Sequence, residues 1–376
     1  MVKRTQLHDF HVQNGRMTEF AGFEMPVWYD SIVSECRAVR NSVGIFDVSH
    51  MGRAVISGED STSFLDYVTT NDVAALTVNR AHYSLICNED GGIVDDVVID
   101  KLAENQYLMV FNAGNRDKDL GWLKKKAEPF SVNIKHVSDQ VSMFAVQGPN
   151  AQQVMEQVCG EDLSSIPRFG ERSLDLEGMK LTVTRTGYTG EDGFEVFTWG
   201  APSEDPSRAV AVWSEILDHG KAFHIQPCGL GARDILRLEA GMCLYGNDIT
   251  ESTSPLQARL SFVVKLAKSE FIGRDALARE KAQGVKKVRV GLKVLDAGIP
   301  RAECPLLKDS QVVGKVTSGT FSPTMSQGIA MGYIPREYSK VGENLLVEVR
   351  GKKLRAAVVG FPFYDTSKYG WQRTKK

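Results

Sequence analysis

Lys287-Val288-Arg289-Val290-Gly291-Leu292-Lys293-Val294-Leu295 places Val288, Val290, Leu292 and Val294 at every second position, so they share one face of an extended strand. Downstream, the apolar runs 345–349 and 354–359 flank Arg350-Gly351-Lys352, a hairpin signal. From about residue 285 onward the chain reads as strand and turn only, a small β-barrel or sandwich of about 90 residues. A Lys/Ala-rich helix over 274–282, ending at Gly284, marks the boundary before it. The chain upstream mixes strands and helices, so the fold class is α+β. An apolar strand over 141–146 ends at Gly148-Pro149, and Asn150 is placed to cap a helix running through Val158. Residues 229–241 read as a helix with Leu230, Ile235, Leu238 and Met242 on one side. Arg233 and Arg237, four apart, point the same way, and Asp234 can pair with Arg237.

Composition narrows the functional classes. Forty-five basic and 47 acidic residues among 376 leave a formal charge of −2, so no global field draws the chain to nucleic acid. No apolar run approaches the roughly 20 residues that cross a bilayer. The polar N-terminus has no apolar signal core, so the expected location is cytoplasmic, or a mitochondrial matrix if a transit peptide has been removed. Six scattered cysteines (36, 87, 159, 228, 243 and 304) form no C-x-x-C pair; they read as reduced thiols, and no metal site is expected.

Four segments carry polar groups that could do chemistry. In the first, the turn Asp90-Gly91-Gly92 leads into the β-branched strand Ile93-Val94-Asp95-Asp96-Val97-Val98-Ile99. Alternation sends Asp95 and Asp96 to opposite faces, so one meets water and the other enters the apolar side or lines a cavity, where desolvation raises its pKa. The bland reading, an aspartate bonding nearby backbone amides, is about as good from the residues alone. Second, Thr186 to Glu195 is a Gly-rich connection between two strands; it lacks the context of a phosphate loop or an EF-hand and reads more simply as a hairpin. Third, His50 in Phe46-Asp47-Val48-Ser49-His50-Met51-Gly52 has no nucleophile elbow near it and reads as structural, while Met51 could line an apolar cavity. Fourth, Tyr83 lies in a strand pattern and Asn112 ends the apolar run 107–111. Together these describe an aromatic, acidic cavity.

The same segments, in order, resemble the glycine cleavage T-protein (aminomethyltransferase) family of folate-binding proteins. The resemblance is carried by Phe20 to Pro26, Val43 to Gly52, Thr70-Asn71-Asp72, Gly91 to Asp96, Gln147-Gly148-Pro149 and Arg185 to Glu195. It continues through Gly229 to Asp234, Leu236 to Ala240, Leu244 to Asp248 and Thr317 to Pro323. It implies a three-domain cloverleaf around a central folate channel. The domains would be 1–50 with 140–245, 51–139 with 246–275, and a C-terminal β-barrel at 276–376. The implied reaction moves the methylene of an S-aminomethyl-dihydrolipoyl carrier (H-) protein to tetrahydrofolate with release of ammonia, without a metal.

By resemblance, Asp96 is the catalytic carboxylate beside the folate N5/N10 edge, and Asp95 its outward-facing neighbour. Glu195 would accept from the pterin amino and N3 groups, Arg233 would bond the pterin carbonyl or hold Glu195, and Asp234 would support the site. Tyr83 and Tyr188 would flank the rings, and Met51 and Asn112 would line the pocket. Two positions depart from the family pattern. Phe262 stands where a tryptophan is common, and Asp365 follows the Pro-Phe-Tyr stretch where some members have an arginine for the glutamate tail; Lys368 or Arg373 could substitute. The alternative enzyme reading is a tetrahydrofolate-dependent demethylase of the same fold acting on a small methyl donor. A third reading, a folate-binding protein without turnover such as an iron–sulfur assembly factor, lacks its K-G-C motif here.

Overall fold

The computed structural model describes residues 2–373. Its C-terminal part is a closed barrel of six strands, Lys287–Val294, Gln327–Pro335, Gln311–Ser322, Pro305–Lys308, Asn344–Val349 and Lys352–Val359. The first strand pairs with both the second and the last, which closes the ring and leaves no free edge. Val288, Val290 and Leu292 point into the barrel with Leu306, Val316 and Val347, so the alternation seen in sequence is the barrel's inner face. The Arg350-Gly351 turn has positive φ at both residues, which accounts for glycine at the second.

Two larger open sheets and a two-stranded hairpin, Arg16–Phe20 with Phe23–Trp28, make up the sheets of the rest. One orders Glu171–Leu176, Met179–Thr184, Gly193–Trp199, Val141–Gln147, Gly44–Asp47 and Gln226–Pro227. Helices Ala151–Cys159 and Ser207–Gly220 cover its outer face through Val154, Met155, Val158, Val212, Trp213 and Ile216. The other orders Arg80–Cys87, Ile93–Ala103, Gln106–Phe111, Gly52–Ser57 and Asn133–His136. Helices Ser61–Val68 and Arg116–Lys126 cover it through Phe64, Leu65, Leu120 and Leu123. The inner faces of the two sheets meet: Val55, Leu108 and Val110 pack against Met143, Ala145 and Phe197. Each such side chain contributes roughly 1.5–3 kcal/mol when fully buried, so this layer fixes how the sheets sit.

Helix Leu230–Glu239 joins all three parts, and its buried face departs from the expected apolar stripe. Ala232, Leu236 and Leu238 are buried together with Arg237 and Glu239, while Leu230, Ile235 and Met242 are only partly covered. The two charges are buried because both are paired. Arg237 donates to Asp248 (2.6 Å), Asp234 (2.8 Å) and Ser318 in the barrel (2.9 Å). Glu239 accepts from Arg40 (2.8 Å), Ser322 (2.5 Å) and Thr324 (2.9 Å). Asn150 does stand at a helix N-cap, but its amide donates to Ser42 Oγ (3.0 Å) and caps nothing.

Candidate active site

Strand Ile93–Ala103 has a different neighbour on each face. Val97 and Ile99 point with Asp95 toward helix Arg116–Lys126 and its apolar cluster, whereas Asp96 and Val98 point the other way, toward the first sheet. Asp95 is therefore not the outward-facing member of the pair. It is 0% exposed, because a helix and not water covers that face, and Asp96 is the one that is partly open.

Asp96 is held on both oxygens. Tyr83, from the neighbouring strand Arg80–Cys87, donates its hydroxyl to Oδ2 (3.1 Å), and Asn112 donates Nδ2 to Oδ1 (2.8 Å). Asn112 follows strand Gln106–Phe111, and the Gly52–Phe111 pairing puts Met51 next to it. The same Asn112 amide reaches Asp95 Oδ1 (2.9 Å) while its backbone N–H donates to Asp95 Oδ2 (3.0 Å). Burial, then the charge of Asp95, push the Asp96 carboxyl up to about 7, against the pull of the Asn112 and Tyr83 bonds. Burial beside Asp96 holds Tyr83 well above the usual phenol range, so it stays a donor.

Across from Asp96, the first sheet and the joining helix supply a second group. Tyr188 donates its hydroxyl to the Cys243 carbonyl. The Arg233 guanidinium lies 4.8 Å over the Tyr188 ring, and no hydrogen bond from its side chain to a described residue occupies it. Glu195 on strand Gly193–Trp199 is nearly buried and accepts from Thr186 Oγ1 (2.5 Å); burial raises its carboxyl, and Thr186 and Arg233 draw it back. The two groups are close enough that Asp96 bears on the Tyr188 hydroxyl. Phe262 lies stacked against Tyr83 with centroids 6.5 Å apart and is 63% exposed.

Thus Tyr83, Asp96 and Asn112 come together by direct bonds, Tyr188, Glu195 and Arg233 form the facing wall, and Met51 borders the first group. Asp234 does not join them: half exposed, it spends its carboxylate on Arg237. The glycine at 187 serves Gln147, since a Cβ there would stand 1.9 Å from Gln147 Oε1; the segment is the loop of an antiparallel hairpin. His50 is buried, and burial followed by Arg233 hold its ring well below the usual range, so it is neutral and structural. Arg373 is committed to Glu191 and the Arg40 carbonyl, and Lys368 lies near Asp365, so Arg373 is not free for an anionic tail. Sequence reading missed Asn115, Asp119 and Asp248, which hold the site from behind; Arg237, whose pairing with Asp234 it expected, stands with them. Its signal was the Arg233/Arg237 spacing.

Comparison with known proteins identifies the family of the chain. The GCVT N-terminal domain profile matches residues 7–268, and the glycine cleavage T-protein C-terminal barrel domain matches 287–365. The chain is 44% identical over 367 residues to an aminomethyltransferase of Bacillus subtilis, covering 97% of this chain and 99% of that one. It is 42% identical over 365 residues to one of Caldanaerobacter subterraneus subsp. tengcongensis, 96% of each being covered. The solved structure of glycine cleavage system aminomethyltransferase T from Bartonella henselae superposes with a TM-score of 0.90 at 33% identity, over 99% of this chain and 100% of that chain.

Proposed function

Since the chain belongs to the glycine cleavage T-protein family and is an aminomethyltransferase of that system, we propose that tetrahydrofolate is its co-substrate, a lipoylated carrier (H-) protein its donor, and Asp96 its catalytic carboxylate. The observation that carries this reading is the Asp96 carboxyl, fixed by Tyr83 and Asn112 and close to Tyr188, over whose ring lies an arginine that no described side chain bonds.

The residues suit a reduced pterin. Glu195 can accept from a 2-amino group and a ring N–H in parallel, and Arg233 can donate to a ring carbonyl. Tyr83, Tyr188 and Phe262 offer aromatic faces and edges. The folate supplies N5 and N10 as the nucleophiles that take the one-carbon unit. Positive charge develops there as ammonia departs from the methylene. Asp96, already oriented and poorly solvated, stabilises that charge without reorganising and accepts a proton at the N10 edge. An acid with its midpoint near 7 exchanges that proton readily at neutral pH. Tyr83 and Asn112 keep the carboxylate aimed, and holding the folate beside the carrier's arm contributes a further large factor.

The test is a single-turnover assay with aminomethylated, lipoylated carrier and tetrahydrofolate, read as 5,10-methylenetetrahydrofolate and ammonia. Formation of both supports the reading. Turnover of small methyl donors with none from the carrier would instead favour the demethylase alternative.

A further inference from the structure

Asp119, the fourth residue of helix Arg116–Lys126, is an acid for which the chemistry above has no use. It is 0% exposed, and no N–H or O–H of the described residues reaches either of its oxygens. Its carboxyl meets Asp95 within hydrogen-bond reach. Asp95 already accepts three donors: the Asn112 N–H (3.0 Å), Asn112 Nδ2 (2.9 Å) and Asn115 Nδ2 (2.7 Å).

Two carboxyls in contact and shut away from water cannot both stay ionised, since each charge disfavours the other and neither is hydrated. The one with three N–H donors keeps the negative charge. The one with none keeps the proton and has a single acceptor to give it to. Lys118, the nearest cation, does not bond either carboxyl. Its Nζ donates to the Val94 carbonyl (2.6 Å) and the Tyr245 hydroxyl (3.0 Å) and lies 3.6 Å from Glu251. On the other side of the strand Asp96 is the acid that bears on this pair, with Tyr83, Tyr188 and Cys243 beyond it. Burial, and then contact with Asp95, drive the Asp119 carboxyl far above the carboxylate range.

We infer that Asp119 is the neutral half of an acid–carboxylate pair with Asp95, and that this pair holds the Asn112 amide that aims Asp96. Asp119 donates its proton to Asp95, Asp95 fixes Asn112 by two bonds, and Asn112 Nδ2 reaches Asp96 Oδ1 at 2.8 Å. Asp95 and Asp119 are thus positioning residues that never touch substrate. Their kinetic consequence rests on the reading of Asp96 as the catalytic carboxylate; the protonation of Asp119 does not.

Infrared spectra of protein carrying aspartate labelled in its carboxyl carbon test the pair directly. At pH 8 the intact protein should show a protonated-carboxyl stretch of which one component disappears in Asp119→Asn; an unchanged band would overturn the proposal. In single turnover, Asp119→Leu, which cannot donate, should lower the rate on the order of tenfold with KM for tetrahydrofolate nearly unmoved. Asp119→Asn should restore most of that loss, because a neutral amide can donate to Asp95 as the neutral acid does. The acid limb of its pH–rate profile should keep the parent midpoint, since no charge has been removed. Asparagine rescuing no better than leucine, a shifted limb, or a loss confined to KM would each refute the positioning role. If Asp96→Asn turns over normally, the catalytic reading fails while the infrared result still decides the pair.

Discussion

Replacing Asp96 by asparagine should make the protein inactive and, at neutral pH, more stable. Both effects come from the same burial. The carboxyl rises from its ordinary 3.8 to about 7 because burial and Asp95 oppose its charge. That whole difference corresponds to about 4 kcal/mol; Asp96 is partly open to solvent, and screening there leaves about 2 kcal/mol. The sign follows from proton binding. Between about pH 4 and 7 the folded protein holds a proton on Asp96 that the unfolded chain releases. Stability from this group is therefore fully present below the unfolded pKa and is lost as pH rises through the folded one. Asparagine has no such titration, and it keeps partners for Asn112 and Tyr83. Its advantage should be absent near pH 4, grow with pH, and level off above 7. Urea unfolding of both proteins across pH 4 to 8 measures this. Turnover should fall by about 10²–10⁴-fold, with tetrahydrofolate affinity by calorimetry changed only a few-fold. A stability difference that does not vary with pH, or wild-type turnover, would refute the reasoning.

Glu195→Ala should weaken tetrahydrofolate binding by about ten- to a hundred-fold, the value of hydrogen bonds to a charged acceptor; unchanged affinity in calorimetry would place the pterin elsewhere. Arg237→Leu leaves Asp248 buried with only Ser318, Thr317 and the Leu244 N–H as donors, so the urea midpoint should drop by the equivalent of about 3–5 kcal/mol. Phe262→Ala should raise KM for tetrahydrofolate while changing stability by less than about 0.5 kcal/mol, because the ring is mostly exposed and stacks on Tyr83.

The barrel was legible because each strand carries its own inside–outside alternation, as Val288, Val290 and Leu292 show. Its closure was not: the pairing of Lys287–Val294 with Lys352–Val359 joins segments about 60 residues apart through backbone bonds that leave no mark in side-chain pattern. Alternation likewise separated Asp95 from Asp96 but could not tell which face water reaches, because helix Arg116–Lys126 follows only after another strand and covers the side of Asp95. The stripe of helix Leu230–Glu239 was misread for a different reason. Counting apolar residues passes over Arg237 and Glu239, which are buried by pairing and not by hydrophobicity. Asp119 gave no signal at all, since an acid in the first turn of a helix ordinarily faces solvent and favours the dipole.

These buried charges explain why a barrel without reacting residues belongs to the site. Ion pairs out of water add little net stability, since desolvation offsets most of their attraction; what they do supply is a single geometry. Arg237 ties its helix to Asp248 and to Ser318 of the barrel, and Glu239, two residues on, ties it to Arg40 of helix Ile32–Asn41 and to Ser322. Arg233 lies one turn before Arg237 on the same helix. Its position over Tyr188 is therefore set by bonds made at the far end of that helix, to the barrel, to Asp248 and to Arg40. Asp96 is held on the second open sheet by Tyr83 and Asn112. On the function proposed above, a one-carbon transfer needs Arg233 with Tyr188 and Asp96 held relative to one another to a fraction of an ångström. The two walls come from different sheets, so that precision depends on two devices together: the apolar layer sets one sheet against the other, and the buried links of Arg237 and Glu239 set the helix that carries Arg233.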